Sequence, residues 1–291
     1  VRHPDRERQG VKGTTEMADI AHDAGDEHAC DRFNPGAVVI LKQESIAPNV
    51  HLLTVRAPAV AAKIQPGQFV MLGFPDRIDP LLRRPFSIHQ AHAEGLLQIY
   101  FKIVGRGTEM LAEVGEGAEV SILGPLGRGF RVAENPACLV GGGLGIAPLL
   151  FLARTLSRLE RDHARDTIIL GGRSSSEVEP LVKDFEQFGM TVVTTTDDGS
   201  YGRRGFVTAA FSTHSLPSSC TVYCCGPEPM LAGMSAMCRT RGYSCQVSVE
   251  SVMACGMGAC LGCSRTARNG EYVHVCLDGP VFDAEDMAWT I

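Results

Sequence analysis

The chain shows a succession of patterns of hydrophobic and polar positions. From 35 to 132, short apolar segments alternate with turns such as Pro66-Gly67 and Gly115-Glu116-Gly117. Regularly spaced short strands of this kind predict a small antiparallel β-barrel. The segments that we expect to form its strands are 37–41, 51–56, 69–73, 96–104 and 119–123.

From 133 to 248, apolar strands alternate with segments of helical periodicity. Because such alternation places crossover helices between parallel strands, it predicts an α/β domain with a parallel sheet. The expected strands are 138–140, 167–171, 191–195 and 221–225, and the expected helices are 148–161, 178–188 and 229–241. The predicted fold class is therefore multidomain, a β-barrel followed by an α/β domain.

The two ends of the chain follow neither pattern. Residues 1–34 are rich in Arg, Asp, Glu, His and Gly and have no periodic apolar face, so we expect a disordered extension. Residues 249–291 are rich in Cys and Gly and are expected to form a small third domain.

Length and composition exclude some classes of function. A chain of 291 residues, 44% of them hydrophobic, is long enough for two or three domains. It contains no run of eighteen apolar residues and its start is charged throughout, so we expect neither a membrane span nor a signal peptide. The net charge of −6 argues against nucleic acid as a partner. Eleven cysteines with one dense group favour a reducing cytoplasm.

The dense group of cysteines has the spacing of a metal site: Cys255, Cys260, Cys263 and Cys276. Four residues and then two separate the first three thiols, which is the plant-type pattern for a [2Fe-2S] cluster. The intervening glycines let the backbone wrap closely around such a cluster. A structural zinc site and a set of unmetallated thiols are the alternatives.

A glycine-rich run at 141–148 follows a predicted strand and opens a predicted helix. Glycines there let a diphosphate approach the backbone, and the helix N-terminus supplies N–H donors. Pro148 departs from the standard Rossmann fingerprint and favours a different nucleotide fold. The alternative is a tight turn that binds nothing.

Two further segments are candidates for binding. Arg83-Arg84-Pro85-Phe86-Ser87 brings a guanidinium for phosphate and a hydroxyl for a flavin ring, or is a solvated strand end. Cys225-Gly226-Pro227-Glu228 follows a parallel strand, where open α/β sheets bind ligands, or is an ordinary turn. No catalytic triad or pair of carboxylates stands out, and we expect no catalytic acid or base.

In this order the motifs resemble the ferredoxin–NADP reductase superfamily with an iron–sulfur tail, in particular the electron-transfer subunits of class B dihydroorotate dehydrogenase. The resemblance runs from about residue 36 to the end, and its most specific parts are the loop 253–263 and the segment 276–283. It implies that FAD binds on the barrel, through Arg84, Pro85, Phe86, Ser87, Tyr100, Phe101, Lys102, Gly107 and Thr108. It implies that a nicotinamide nucleotide binds near Gly141, Gly142, Gly143, Gly145, Pro148, Cys225, Gly226 and Glu228.

The resemblance also implies a function and a partner. Electrons would pass from NADH through FAD and the cluster to FMN in a separate catalytic subunit of dihydroorotate dehydrogenase, in cytoplasmic pyrimidine biosynthesis. A heterotetramer with two copies of each subunit is expected. The alternative within the superfamily is a reductase subunit of a sulfide dehydrogenase, a hydrogenase or a ferredoxin:NAD(P) oxidoreductase. Several of those relatives carry an aspartate where Cys255 stands. The alternative from another class is a zinc-stabilised nucleotide-binding regulatory module.

Asp197 indicates NADH rather than NADPH as the electron donor. NADP-using members of the superfamily tend to place a Ser-Arg pair after the third strand of the nucleotide domain. Here that strand runs into Asp197 and Asp198, whose carboxylates would repel a 2′-phosphate and accept hydrogen bonds from ribose hydroxyls. Arg203 and Arg204 follow closely and are the counter-argument.

Overall fold

The computed structural model describes residues 35–75 and 77–289. The expected disorder of residues 1–34 falls outside this range. No helix in the described part of the chain is long and apolar enough to cross a bilayer.

The first domain is a seven-stranded antiparallel sheet, in agreement with the sequence pattern. Along the strand Leu96–Lys102 the buried residues Leu97, Ile99 and Phe101 alternate with half-buried ones, as expected for a strand with one face in a core. The strand order is β4-β3-β7-β1-β2-β6-β5. The strands are β1 (Gly36–Ala47), β2 (Val50–Arg56), β3 (Phe69–Gly73), β4 (Arg84–Ser87), β5 (Gln90–His92), β6 (Leu96–Lys102) and β7 (Glu119–Leu126).

The chain itself forces this sheet to curl. Strands β4 and β5 form its opposite edges, yet only Ile88 and His89 separate them along the chain. The two edges must therefore lie side by side. The rings of Phe86 on β4 and Phe101 on β6 meet edge to face at 5.8 Å, which fills the closure from within.

Two helices interrupt the barrel domain, α1 (Pro58–Ala61) and α2 (Arg106–Glu113). The sequence pattern predicts only β-structure here, and the glycines around Arg106 are typical of a turn. The helix begins because the Thr108 hydroxyl accepts hydrogen bonds from the backbone N–H groups of Val104 and Gly105, at 2.9 and 3.2 Å. This capping interaction places a helix N-terminus directly after β6.

The second domain contains the predicted parallel sheet. Its strand order is β11-β10-β9-β8-β12-β13-β16, and every pairing is parallel except that of the last strand. The strands are β8 (Ala137–Gly142), β9 (Thr167–Gly172), β10 (Thr191–Thr196), β11 (Arg203–Arg204), β12 (Thr221–Cys225), β13 (Ser244–Ser248) and β16 (Val281–Asp283).

Helices cover both faces of this sheet. They are α3 (Ile146–Leu156), α4 (Ser175–Glu186), α5 (Val207–Thr213) and α6 (Glu228–Arg241). Helix α3 ends at Leu156, before the predicted end at residue 161. At this end the Ser157 hydroxyl donates to the Arg154 carbonyl at 2.9 Å. Helix α5 is not predicted, because seven residues are too few to establish a helical period.

The cysteine-rich tail is built around a hairpin of β14 (Ser264–Thr266) and β15 (Tyr272–His274). It then supplies β16 to the edge of the parallel sheet, where Phe282 pairs with Val247. One apolar core joins all three regions: Met71 and Leu126 of the barrel, Val222 of the parallel sheet and Val275 of the tail. The tail is therefore part of the packed body of the protein.

His89 connects the barrel to the nucleotide sheet. Its side chain is buried, and Nδ1 lies 2.7 Å from the backbone carbonyl of Ala147 at the start of α3. Burial lowers the pKa of His89 from 6.5 to about 4, although the hydrogen bond to Ala147 opposes the shift. The imidazole is thus neutral in the folded protein at neutral pH and donates from Nδ1 to this carbonyl.

We predict that His89 makes stability depend on pH between 6.5 and 4. In this window the unfolded state binds a proton that the folded state does not, so stability present above pH 6.5 falls as the pH drops, by about 3 kcal/mol in full. The thermal midpoint of the wild type should therefore fall more steeply across this range than that of His89→Gln. The control is His214→Gln, which should keep the wild-type slope. Equal slopes for wild type and His89→Gln would refute the assignment.

Candidate functional site

The predicted flavin residues of β4 lie beside the N-terminus of α2. The Arg84 guanidinium lies directly over Gly107, where any side chain would overlap it, and it also donates to the Leu82 carbonyl. The first N–H groups of a helix point outward without partners in the helix and favour an anion. Arg84 and this helix end form a cradle with the donors that a diphosphate needs.

The two neighbouring arginines have different roles. Arg83 donates to the backbone carbonyl and to the hydroxyl of Ser121, at 3.1 and 2.9 Å. Burial of the guanidinium lowers the pKa of Arg83. Because Arg83 is engaged within the sheet, Arg84 is the arginine of this pair that lies at the helix end.

Alternation along β6 separates the three predicted residues of that strand. Tyr100 and Lys102 lie on the side of the nucleotide sheet, where Lys102 forms an ion pair with Glu177 of α4 at 3.6 Å. Burial, together with the charge of Glu177, raises the pKa of Tyr100 to about 12. Phe101 lies on the opposite side, buried in the barrel core beside Phe86.

The two predicted nucleotide segments are brought together by the parallel sheet. Strands β8 and β12 are neighbours, and Gly141 pairs with Cys225 at their carboxyl ends. Gly145 contacts the Cys225 carbonyl so closely that a side chain there would overlap it. Gly142 approaches the Met230 side chain in the same way, and Gly143 has φ +56°. Glycine is therefore required for the close contact of the two loops.

Other predicted residues of this edge take different positions. Pro148 is buried in the first turn of α3, and Gly226 continues the loop after β12. Asp197 is exposed after β10, and its N–H donates to the Gly172 carbonyl at 3.0 Å. Arg203 pairs in register with Thr195, so the exposed arginines of β11 return to the same end of β10 as the aspartates.

Glu228 begins α6 and forms an ion pair that sequence reasoning missed. Arg265 on β14 donates to both of its carboxylate oxygens, with 3.1 Å between Nη1 and Oε2. No pattern in the sequence signals this pair, because 37 positions separate the two residues. It joins the nucleotide loop to the cysteine hairpin.

The four predicted cluster ligands lie on one loop and hairpin. Backbone N–H groups donate to three of the sulfurs: Met257 and Cys260 to Cys255 at 3.5 and 3.3 Å, Gly258 to Cys276 at 3.2 Å, and Cys276 to Cys263 at 3.4 Å. Hydrogen bonds of this kind to sulfur help to set the reduction potential of an iron–sulfur cluster. Gly256 and Gly258 have φ +73° and +82°, which lets the loop turn its N–H groups inward.

The donor set fits a [2Fe-2S] cluster. Burial raises the pKa of Cys255, but hydrogen bonds led by those from Met257 and Cys260 outweigh it and lower that pKa to about 7. Within the described residues no three metal-binding side chains already surround a common centre, so the fit rests on the thiols and their N–H donors. Cys263 and Cys276 are buried, whereas Cys260 is exposed.

Apolar residues near the thiols divide into two groups. Met253 and Met257 pack against the core shared by the three regions. Leu261 and Leu277 are 56% and 51% exposed. We call Cys260, Leu261 and Leu277 the cluster face.

We predict that Arg84→Ala weakens FAD binding. The loss of a charge-assisted hydrogen bond costs about 1.5–3 kcal/mol, so the dissociation constant should rise roughly ten- to a hundredfold. Equilibrium titration of the apoprotein with FAD measures this change. Arg56→Ala, at an exposed strand end, is the control and should bind FAD as the wild type does. Unchanged FAD affinity in Arg84→Ala would exclude the proposed contact.

We predict that Cys260→Ser loses the cluster and retains the flavin. A serine hydroxyl is a poor replacement for a thiolate ligand, whereas the barrel does not depend on this residue. A [2Fe-2S] flavoprotein contains about two iron atoms, two acid-labile sulfides and one FAD per chain. In the variant the iron and sulfide contents should fall well below this, while the FAD content should not change. Cys220→Ala, outside the motif, should keep both cofactors. Stoichiometric zinc in the anaerobically purified wild type would contradict the cluster.

Family models match the three regions of the chain separately. The oxidoreductase FAD-binding domain matches residues 37–130, and the oxidoreductase NAD-binding domain matches residues 139–236. The iron-sulfur cluster binding domain of dihydroorotate dehydrogenase B matches residues 250–288. The chain thus has an FAD-binding, an NAD-binding and a cluster-binding domain, in agreement with the cofactors expected from the motifs.

Solved structures share the fold. A structure of the NADH-dependent reduced ferredoxin-NADP oxidoreductase superposes with a TM-score of 0.75 at 29% identity, covering 87% of this chain and 90% of that one. The ferredoxin reductase of carbazole 1,9a-dioxygenase superposes with a TM-score of 0.61 at 21% identity, covering 72% of this chain and 67% of that one. The second likeness extends to the fold alone.

Curated relatives match over almost their whole length. The electron transfer subunit of dihydroorotate dehydrogenase B (NAD(+)) from Shouchella clausii is 39% identical, over 88% of this chain and 99% of its own length. The subunit of the same name from Desulforamulus reducens is 35% identical, over 86% of this chain and 97% of its own length. The chain therefore belongs to the family of dihydroorotate dehydrogenase B electron transfer subunits.

Proposed function

We propose that this protein oxidises NADH at an FAD on the barrel and passes the electrons singly through a [2Fe-2S] cluster to an FMN-containing catalytic subunit of dihydroorotate dehydrogenase. The observation that carries the proposal is that one apolar core holds the barrel, the parallel sheet and the cysteine hairpin together. Because the three cofactor-binding regions belong to one packed body, groups bound to them would be held at fixed positions, as electron transfer between them requires.

The three groups are chemically complementary. A nicotinamide nucleotide gives up two electrons as hydride, an iron–sulfur cluster accepts one, and a flavin can do both. The protein contributes binding and orientation. Arg84 and the N-terminus of α2 would hold the FAD diphosphate, while Tyr100 and Lys102 are on the side of the barrel that faces the nucleotide sheet.

On this proposal the nucleotide binds where Gly141–Gly145 meets Cys225 and Gly226. These two loops meet at the carboxyl ends of β8 and β12, where the glycines present backbone without side chains. This is the usual ligand position in open parallel sheets. Pro148 in the first turn of α3 fixes the backbone that follows the glycines.

The exposed Cys260 supports an exit for electrons at the cluster face. Leu261 follows Cys260 in the chain and Leu277 lies against Gly258, and both are exposed apolar side chains that a partner subunit would cover. We propose that the catalytic subunit docks there, in a heterotetramer with two copies of each subunit. The grouping of the cysteines supports a reducing cytoplasm as the compartment.

NADH is the proposed donor. Asp197 and Asp198 follow β10, and their charges disfavour a 2′-phosphate. Hydrogen bonds from Ser200 lower the pKa of Asp198, which keeps its carboxylate charged. Arg203 and Arg204 lie at the same strand end and are the residues through which NADPH would bind instead.

We predict that the protein, mixed with an FMN-containing catalytic subunit of dihydroorotate dehydrogenase, couples NADH oxidation to orotate reduction and, in the reverse direction, dihydroorotate oxidation to NAD⁺ reduction. The rate of NADH formation should exceed the rate of NADPH formation at equal nucleotide concentration, because of the two aspartates. The kcat/KM of each reduced nucleotide with an artificial acceptor checks the preference independently.

Cys260→Ser provides the matched control for the path of the electrons. In this variant NADH should still bleach the flavin absorption, while the coupling to dihydroorotate is lost. If the wild-type protein bound no catalytic subunit in sedimentation and instead reduced ferredoxin, the function of a ferredoxin:NAD(P) oxidoreductase subunit would replace the proposal. An NADPH preference would assign the donor site to Arg203 and Arg204.

A further inference from the structure

Glu228 lies at the nucleotide edge but is already engaged. It is the first residue of α6, directly after Cys225-Gly226-Pro227. Both oxygens of its carboxylate accept hydrogen bonds from the Arg265 guanidinium. A carboxylate held in this way has to give up part of a bidentate ion pair before it can accept a bond from a ribose hydroxyl.

Arg265 belongs to the hairpin that presents the cluster ligands. It lies on β14, two positions after Cys263, and β14 pairs with β15, which leads into Cys276. Among the salt bridges of the described residues, this pair is the one that links the hairpin to the nucleotide sheet. The side chains of Arg265 and Glu228 are only 23% and 39% exposed, so solvent screens the pair less than an open surface pair.

The loop that Arg265 holds is the one that contacts the glycine-rich run. Gly145 touches the Cys225 carbonyl, and Gly142 lies so close to Pro227 that a Cβ at position 142 would be 3.4 Å from the proline ring. A displacement of Glu228 would therefore shift the surface on which the nucleotide rests. The fixed fork of an arginine defines this position better than the flexible ammonium of a lysine.

We infer that Arg265 is a positioning residue for the nicotinamide nucleotide: from the cluster hairpin, through Glu228, it holds the β12–α6 loop in the shape that binds NADH. The inference rests on the proposed function, since it takes NADH as the nucleotide. Arg265 touches neither nucleotide nor cluster in this role. It acts through Glu228.

The test compares Arg265→Gln, Glu228→Gln, the double variant and Arg265→Lys. The KM for NADH and kcat are measured with ferricyanide as acceptor, and NAD⁺ affinity is measured by calorimetry. Each single glutamine variant should raise the KM for NADH and the NAD⁺ dissociation constant roughly tenfold, as for a lost charge-assisted bond, with kcat within about a factor of two. The double variant should be no worse than either single one, because both remove the same interaction. Arg265→Lys should fall between wild type and Arg265→Gln.

Arg268→Gln is the matched control, an exposed arginine on the same hairpin that should keep wild-type values. Iron, sulfide and FAD contents are measured for every variant, and Glu228→Gln tests the pair without altering the hairpin. A KM that rises in Glu228→Gln but stays constant or falls in Arg265→Gln would overturn the inference, because Glu228 would then contact the nucleotide itself. Additive effects in the double variant would overturn it too. A wild type that does not bind NAD⁺ or oxidise NADH would instead refute the proposed function.

Discussion

The apolar core between the barrel, the parallel sheet and the cysteine hairpin is the constraint on which the arrangement depends. Met71 and Leu126 enter it from the barrel, Val222 and Val247 from the sheet, and Val275 from the hairpin. Apolar burial is non-directional, and it holds three regions together without fixing fine orientation. Electron transfer between bound groups requires them to be close and fixed, and this core provides the closeness.

Polar contacts around the core then fix the orientation. The His89 imidazole meets the Ala147 carbonyl, Lys102 pairs with Glu177, and Arg265 pairs with Glu228. Each of them joins two of the three regions at a loop or strand that carries predicted binding residues. Directional bonds therefore lie where the binding surfaces meet, and apolar contacts lie beneath them.

The sequence patterns predict the barrel, the parallel sheet and the thiol motif because each is encoded by local spacing. Strand β12 (Thr221–Cys225) agrees with its prediction at both ends: Ser218 and Ser219 lie shortly before it and Gly226 directly follows it. Helix α2 is not predicted, because the glycines that bring Arg84 close to its first turn are typical of a turn. Local pattern says nothing of Arg265, whose importance comes from a partner 37 positions away. The side-chain direction of Phe101 becomes clear only once the register of β6 is known.

An electron relay between two chains needs a cofactor that is shielded from water on most sides and open on one. The burial of the cysteines meets both requirements. Cys263 and Cys276 are buried on the side of the shared core, while Cys260 is exposed between Leu261 and the glycine loop. Strand β16 anchors the end of this tail in the parallel sheet, where Phe282 pairs with Val247. On the proposed function, this anchor and the burial of Cys263 and Cys276 keep Cys260 on the side from which electrons would leave the protein.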